Sequence, residues 1–208
     1  MKIIGLTGGS GSGKGAVSKI LADLNIPSID TDLIYRELTA NAGPCLSALS
    51  QAFGNEIIAT DGSLHRKRLS ELVFSGEGAE YRLKKLNEIS HSFILAETER
   101  RLSILEDAGY DLAVVDAPVL FESGFDKRCD AIVAVVADRN IRIERIISRD
   151  GLTVDMAEKR IDAQLSDEEL RSLCDYIIVN NMDLDALKSD VIDTVNKIKM
   201  NYNLKGDK

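Results

Sequence analysis

Three observations predict an α/β fold built on a parallel sheet flanked by helices. The chain opens on a β-prone apolar run, Lys2-Ile3-Ile4-Gly5-Leu6-Thr7, then a glycine-rich loop, then Ala16-Val17-Ser18-Lys19-Ile20-Leu21 at helical spacing. Two continuous apolar runs, 112–116 and 131–137, lack the alternation of a half-exposed strand and read as strands covered on both faces. Strands and helices alternate, as parallel strands joined by right-handed crossovers do.

The loop after the first strand, Gly8-Gly9-Ser10-Gly11-Ser12-Gly13-Lys14-Gly15, carries the first functional signal. Average glycine usage is roughly 7%, so composition does not place this cluster. The pattern is G-x-x-x-x-G-K: glycines let successive N–H groups converge, the helix N-terminus adds partial positive charge, and Lys14 reaches outer phosphates. Gly9, Ser10, Gly11, Ser12, Gly13, Lys14, Gly15 and Ala16 are therefore candidate nucleotide-binding residues. Position 15, where the pattern has a Ser or Thr that ligates Mg²⁺, is Gly15, so metal binding needs another route. Two other readings exist. Gly11-x-Gly13-x-x-Ala16 fits a dinucleotide fingerprint, with Asp30 and Asp32 where a ribose-binding acid would sit, and a glycine turn can be only a turn. Lys14 favours the phosphate loop, because a triphosphate needs a lysine there and a dinucleotide does not.

The remaining elements follow in order. Ile26 to Asp30 reads as a short second strand, and Leu33 to Leu38 starts a helix that Asn41-Ala42-Gly43-Pro44 breaks. Helical periodicity then covers Pro44 to Phe53, Arg66 to Phe74 and Tyr81 to Leu105, punctuated by Gly62, Gly76 and Gly78. Residues 33–109 thus form a helical insertion between two strands, the expected acceptor-binding region. After the strands at 112–116 and 131–137, Asp138 is a plausible N-cap for a helix to Arg149. That helix aligns Arg142, Arg145 and Arg149 at i, i+3, i+7, with Ile143, Ile146 and Ile147 on another face. Thr153 to Leu165 reads as a charged helix, and Ser166-x-x-Glu169 is a capping box for the next. Tyr176 to Val179 is the last strand, Leu184 to Met200 a closing helix, and 204–208 a frayed tail. One domain is expected, with a core of 1–32, 110–138 and 175–208, the insertion, and a lid of 139–174.

Composition bounds the function. The 208 residues are 44% hydrophobic and 29% charged, enough for a core and a soluble surface. A net charge of -8 and a pI of 4.9 argue against general nucleic-acid or membrane binding, so an anionic substrate needs a local basic cluster. Cys45, Cys129 and Cys174 are odd in number and form no C-x-x-C; with only His65 and His91 besides, a zinc site is not expected. Reduced thiols, a phosphate loop too close to residue 1 for a leader, and no membrane-length apolar run predict a cytoplasmic protein. No obligate protein partner is expected.

Several residues stand where chemistry could use them. Asp32 lies just past the second strand, where a carboxylate could accept the proton of an attacking hydroxyl; Asp30 or Asp32 could equally cap the helix. Asp116 ends an apolar strand as a Walker B acid does. With Asp32 and waters it could hold magnesium, and the Ser12 hydroxyl is a further candidate. The arginine face is the one basic concentration and fits a lid that closes on phosphoryl charge, although a solvated helix face would look the same. His91, between Ile89 and Phe93, reads on its own as structural. Asn180-Asn181-Met182-Asp183 lacks the lysine of a guanine-reading motif and reads as a loop after the last strand.

Together these residues resemble the dephospho-CoA kinase family. The resemblance rests on Gly5-Leu-Thr-Gly-Gly-Ser-Gly-Ser-Gly-Lys14, Ile29-Asp-Thr-Asp32 with Arg36, Val114-Val-Asp-Ala-Pro-Val-Leu-Phe-Glu122-Ser-Gly124 and Arg149-Asp-Gly-Leu152. Arg160-Ile-x-Ala-Gln164 and Asp175-Tyr-Ile-Ile-x-Asn180 add to it. It implies a P-loop NTPase-type fold and ATP-dependent phosphorylation of the ribose 3′-hydroxyl of dephospho-CoA, the last step of coenzyme A synthesis, with Mg²⁺. It also implies roles: Asp32 as base, Lys14 with residues 11–16 on ATP phosphates, Arg145 and Arg149 from the lid, and Asn180 near adenine. Arg36, His91, Leu120, Phe121 and Glu122 would border the acceptor. Two departures stand out: the family has Ser-Thr at Gly15-Ala16 and His-Pro at His91-Ser92. The alternatives are another small P-loop kinase, acting on a nucleoside or nucleoside monophosphate, or a nucleotide-binding module without catalysis.

Overall fold

Apolar side chains on both faces of β1 (Lys2–Thr7) need cover on both sides, and a central place in a sheet gives it. The computed structural model describes residues 1–204. β1 lies in a five-stranded sheet with β2 (Ser28–Asp30), β3 (Leu112–Asp116), β4 (Ala131–Val136) and β5 (Tyr176–Val179), in the order β2-β3-β1-β4-β5. β1 runs parallel to β3 and β4, and β4 parallel to β5. The register pairs Leu6 with Asp116, Thr7 with Ala134 and Val136 with Val179. The C-terminal ends of these strands therefore share one edge, the edge at which open α/β sheets bind ligands.

The helices are α1 (Lys14–Asp23), α2 (Thr31–Leu38), α3 (Pro44–Phe53), α4 (Arg66–Phe74), α5 (Ala79–Asp107), α6 (Arg139–Asp150), α7 (Val154–Asp162), α8 (Asp167–Leu173) and α9 (Leu184–Asn201). The chain divides into two compact units, one of residues 1–29 with those from 105 onward, the other Asp30–Ile104. In the first unit, Ile4, Leu6, Val114, Val133, Val135 and Ile178 of the sheet pack with Val17, Ile20 and Leu21 of α1 and Leu187, Val191, Val195 and Ile198 of α9. Each such side chain contributes about 1.5–3 kcal/mol on burial. Ala134 and Val136 instead pack with Leu170 of α8 and with Phe121, Leu165, Cys174 and Ile177. The inward-facing isoleucines of α6 meet Ala157 and Ile161 of α7. The second unit has its own core, in which Cys45, Leu46 and Leu49 of α3 join Ile57, Leu64, Leu69 and Val73.

Element ends follow local chemistry. β2 is shorter than the apolar run because Pro27 has no N–H; its carbonyl accepts instead from Val114 N at 2.9 Å. Asp30 caps α2 by accepting from Leu33 N at 3.0 Å, and both halves of the Ser166–Glu169 capping box form at α8. The charged helix expected to reach Leu165 ends at Asp162, leaving Gln164 and Leu165 in the turn between α7 and α8. Asp138 takes the N-cap position of α6, but its carboxylate accepts from Asn181 Nδ2 at 2.7 Å rather than from the helix. Leu204, expected to fray, packs against the first core; residues 205–208 of that expected tail lie outside the described residues.

Candidate active site

The glycine loop keeps its shape through backbone conformations and neighbours that a side chain would disturb. Gly11 and Gly13 have φ of 79° and 94°, the left-handed region where only glycine is unstrained. A Cβ on Gly13 would stand 2.0 Å from Asn180 Nδ2. That amide, on a residue 5% exposed, donates to Ser12 O at 2.8 Å. Arg145 donates from Nη1 to Gly11 O and Ser12 O, both at 3.3 Å, and from Nη2 to Asn180 O at 3.1 Å. Arg142 is 4% exposed, and its guanidinium is held by Ser10 O, Asp167 and Gln164. Burial lowers its pKa from the usual guanidinium range, and the Asp167 carboxylate opposes that shift. The Ser12 hydroxyl is buried without a hydrogen-bond partner among the described residues.

Beneath the loop, Lys14 opens α1 and its ammonium is ion-paired with the Asp116 carboxylate, both side chains largely buried. One turn further along α1, Ser18 Oγ donates to the other Asp116 oxygen at 2.8 Å and lies 3.2 Å from Lys14 O. Gly15 is exposed, and a Cβ built there meets nothing within 4 Å. One turn beyond position 15, where the motif hydroxyl is absent, Ser18 thus sets a hydroxyl against Asp116. Sequence reasoning missed Ser18, although its spacing of three from Gly15 and four from Lys14 puts it on their face of the helix. These are hard oxygen donors of the kind Mg²⁺ prefers. Among the described residues no cluster of three or more His, Cys, Asp or Glu could make a cage. Mg²⁺ takes one or two carboxylates and completes its shell with waters and substrate phosphates. The residues present fit magnesium.

The other expected residues divide between the two units. Arg149, two turns beyond Arg142, is exposed and makes a bidentate pair with Asp150 at 2.8 Å; Asp150 also accepts from Arg160 at 2.5 Å. With Arg149 the larger cause, these pairs hold Asp150 at about 2. Leu120 is wholly buried, so close to β1 that a Cβ on Gly5 would stand 2.8 Å from its Cδ2. Phe121 is half-buried in the sheet cluster, and Glu122 is exposed. In the second unit, Asp32 is exposed in the first turn of α2, where the helix dipole favours a carboxylate, and Arg36 follows at i+4 on the same face. His91 is half-buried within α5.

The sequence profile of the dephospho-CoA kinase family matches residues 2–186. A dephospho-CoA kinase of Fusobacterium nucleatum is 39% identical over 186 residues, spanning 89% of this chain and 92% of that protein. One from Corynebacterium glutamicum is 34% identical over 200 residues, spanning 96% and 98%. Among solved structures, a Thermus thermophilus protein superposes with a TM-score of 0.82 at 29% identity, over 99% of this chain and 98% of its own.

Proposed function

The chain belongs to the dephospho-CoA kinase family, and from that premise we propose how its residues divide the reaction. The enzyme uses ATP to phosphorylate dephospho-CoA at the ribose 3′-hydroxyl, giving coenzyme A and ADP. The observation that carries the site assignment is the Lys14–Asp116–Ser18 cluster directly under the glycine loop, at the C-terminal edge of the sheet. When ATP binds, its phosphates take over Lys14 as counter-charge, and the N–H groups of the loop and of the α1 N-terminus face the same phosphates. Asp116 and Asp32, partly through water, would hold Mg²⁺, with Ser18 orienting Asp116. That ion supplies neutralisation of phosphate charge.

Asp32 receives the proton of the attacking 3′-hydroxyl. Arg145 and Arg149 meet the charge that develops on the transferred group, so the barrier falls through positioning and electrostatic stabilisation. Asn180 lies on the adenine side of the nucleotide. Arg36, His91 and the Leu120-Phe121-Glu122 segment border the acceptor, and the helical unit Asp30–Ile104 is the acceptor-binding part of the chain. The three cysteines are free, which supports a place in the cytoplasm; no described helix is long and apolar enough to cross a membrane.

ADP release from ATP and Mg²⁺ tests this reading, with dephospho-CoA, adenosine, AMP or cytidine monophosphate as acceptor. The expected result is release driven by dephospho-CoA alone. Release driven by another acceptor would overturn the substrate assignment, and nucleotide binding without any release would overturn catalysis.

A further inference from the structure

Arg142 differs from the other arginines of α6 in where its guanidinium ends. At 4% exposure it is buried, and all three of its nitrogens have protein acceptors: Nε donates to Ser10 O at 2.9 Å, Nη1 to Asp167 Oδ1 at 3.2 Å and Nη2 to Gln164 Oε1 at 3.4 Å. The same Gln164 oxygen accepts from Ser10 N at 2.8 Å. Both backbone polar groups of Ser10 are therefore held, the N–H by Gln164 and the carbonyl by Arg142. The flanking glycines are shaped to this grip. A Cβ on Gly9 would stand 2.2 Å from Arg142 Nη2, and one on Gly11 would stand 2.5 Å from Arg142 O.

Arg142 commits three of its five guanidinium donors to a carbonyl, an amide oxygen and a carboxylate, and its guanidinium is buried with α6 against the loop. We infer that Arg142 and Gln164 are positioning residues which grip Ser10 and so fix the curvature of the nucleotide loop, and that Arg142 does not itself contact phosphate. The inference rests on the reading of that loop as the nucleotide site. It makes the turn between α7 and α8, which carries Gln164, part of the loop's support. A loop held this way offers the same N–H groups to ADP and ATP, so loosening it weakens both nucleotides by one factor. Loss of a γ-phosphate ligand would weaken ATP alone.

The test is calorimetric titration of ADP and ATP into the wild type, Arg142→Met, Gln164→Leu, the double variant and Gln164→Glu, with KM for dephospho-CoA measured beside it. Arg142→Met and Gln164→Leu are each expected to weaken both nucleotides by about tenfold, the loss of one charge-assisted or buried hydrogen bond. The double variant loses less than the product of the two, because both act through Ser10. Gln164→Glu keeps the acceptor oxygen and binds both nucleotides more tightly than Gln164→Leu, while KM for dephospho-CoA stays put in every variant. Gln164→Leu removes no charge from α6, so the comparison holds even if Arg142→Met does not fold. A selective loss of ATP in Arg142→Met, with Gln164→Leu like the wild type, would overturn the inference in favour of a phosphate ligand. Unchanged affinity in the variants would overturn it alone, whereas a wild type that binds neither nucleotide would overturn the site reading with it.

Discussion

On the proposed mechanism Asp32 serves proton removal as well as metal binding, whereas Ser18 serves only the orientation of Asp116. Asp32→Asn keeps size and hydrogen bonding but cannot accept a proton, so turnover should fall by about 10²–10⁴-fold with the affinity for metal-free ATP unchanged. Steady-state rates beside nucleotide titration check this; undiminished turnover removes Asp32 as the base. Ser18→Ala leaves Asp116 without its 2.8 Å donor and should raise the Mg²⁺ concentration for half-maximal rate. Mn²⁺ binding to the enzyme–ADP complex, read by electron paramagnetic resonance, should weaken in parallel. Gly15→Ser has open space for its side chain and should restore both readouts in the Ser18→Ala background. If the triple comparison shows no change in Mn²⁺ affinity, the hydroxyl at 18 has no part in metal use. The gap at Gly15 was legible from the motif alone, but its counterpart was not. A serine inside a helix ordinarily bonds back to the i−4 carbonyl, as Ser18 can to Lys14 O, and only the packing of β3 beside α1 reveals its second partner.

At the level of elements, periodicity was enough wherever one helix face or one strand had to be buried. β3, α3 and α4 begin and end where the residue pattern places them. What escaped is local geometry that depends on a partner distant in sequence. The bridge between Ile58 and Leu64 and the 3₁₀ turns at Asn55–Ile57 and Phe125–Arg128 have no period to read. The arginine stripe of α6 was visible, its division of labour was not. At about 1.5 Å per residue, Arg149 lies roughly 10 Å further along the axis than Arg142, beyond the loop that Arg142 and Arg145 touch. Pairing within α5 makes a stability prediction. Glu97 accepts from Arg100 at 2.7 Å and from Arg101 at 2.8 Å, which hold its carboxyl at about 2, Arg100 being the larger cause. A folded pKa below the unfolded one means stability present above about pH 4.5 and lost as pH falls through 2. Glu97→Gln should therefore cost about 1 kcal/mol at pH 7, the scale of a small surface ion-pair network. In urea titrations the gap to wild type should narrow below pH 4.5 and close near pH 2. A gap independent of pH would assign the loss to packing instead.

Over the whole molecule, an acidic chain binds an anionic nucleotide because fixed backbone dipoles and a few cations sit at one edge of the sheet. The thiols report on the unit that holds that edge. Burial pushes Cys129 up to about 12 and Cys174 up to about 11, while Cys45 is 1% exposed in the other unit. At pH 8 the thiolate fraction of Cys129 and Cys174 is lower than that of a free cysteine by about a hundredfold or more, so direct labelling of these partly exposed thiols is slow and opening of the structure accelerates it. A ligand that binds only the closed form suppresses opening by 1 + [L]/Kd. ADP at about a hundred times its Kd therefore adds about 2.7 kcal/mol and should slow the labelling of Cys129 and Cys174 that passes through opening by about a hundredfold. Time-resolved alkylation with mass-spectrometric readout at each cysteine measures this. If ADP leaves both rates unchanged while titration shows it bound, these thiols react through motions that leave the nucleotide edge intact, and the sheet core then opens independently of the loop it carries.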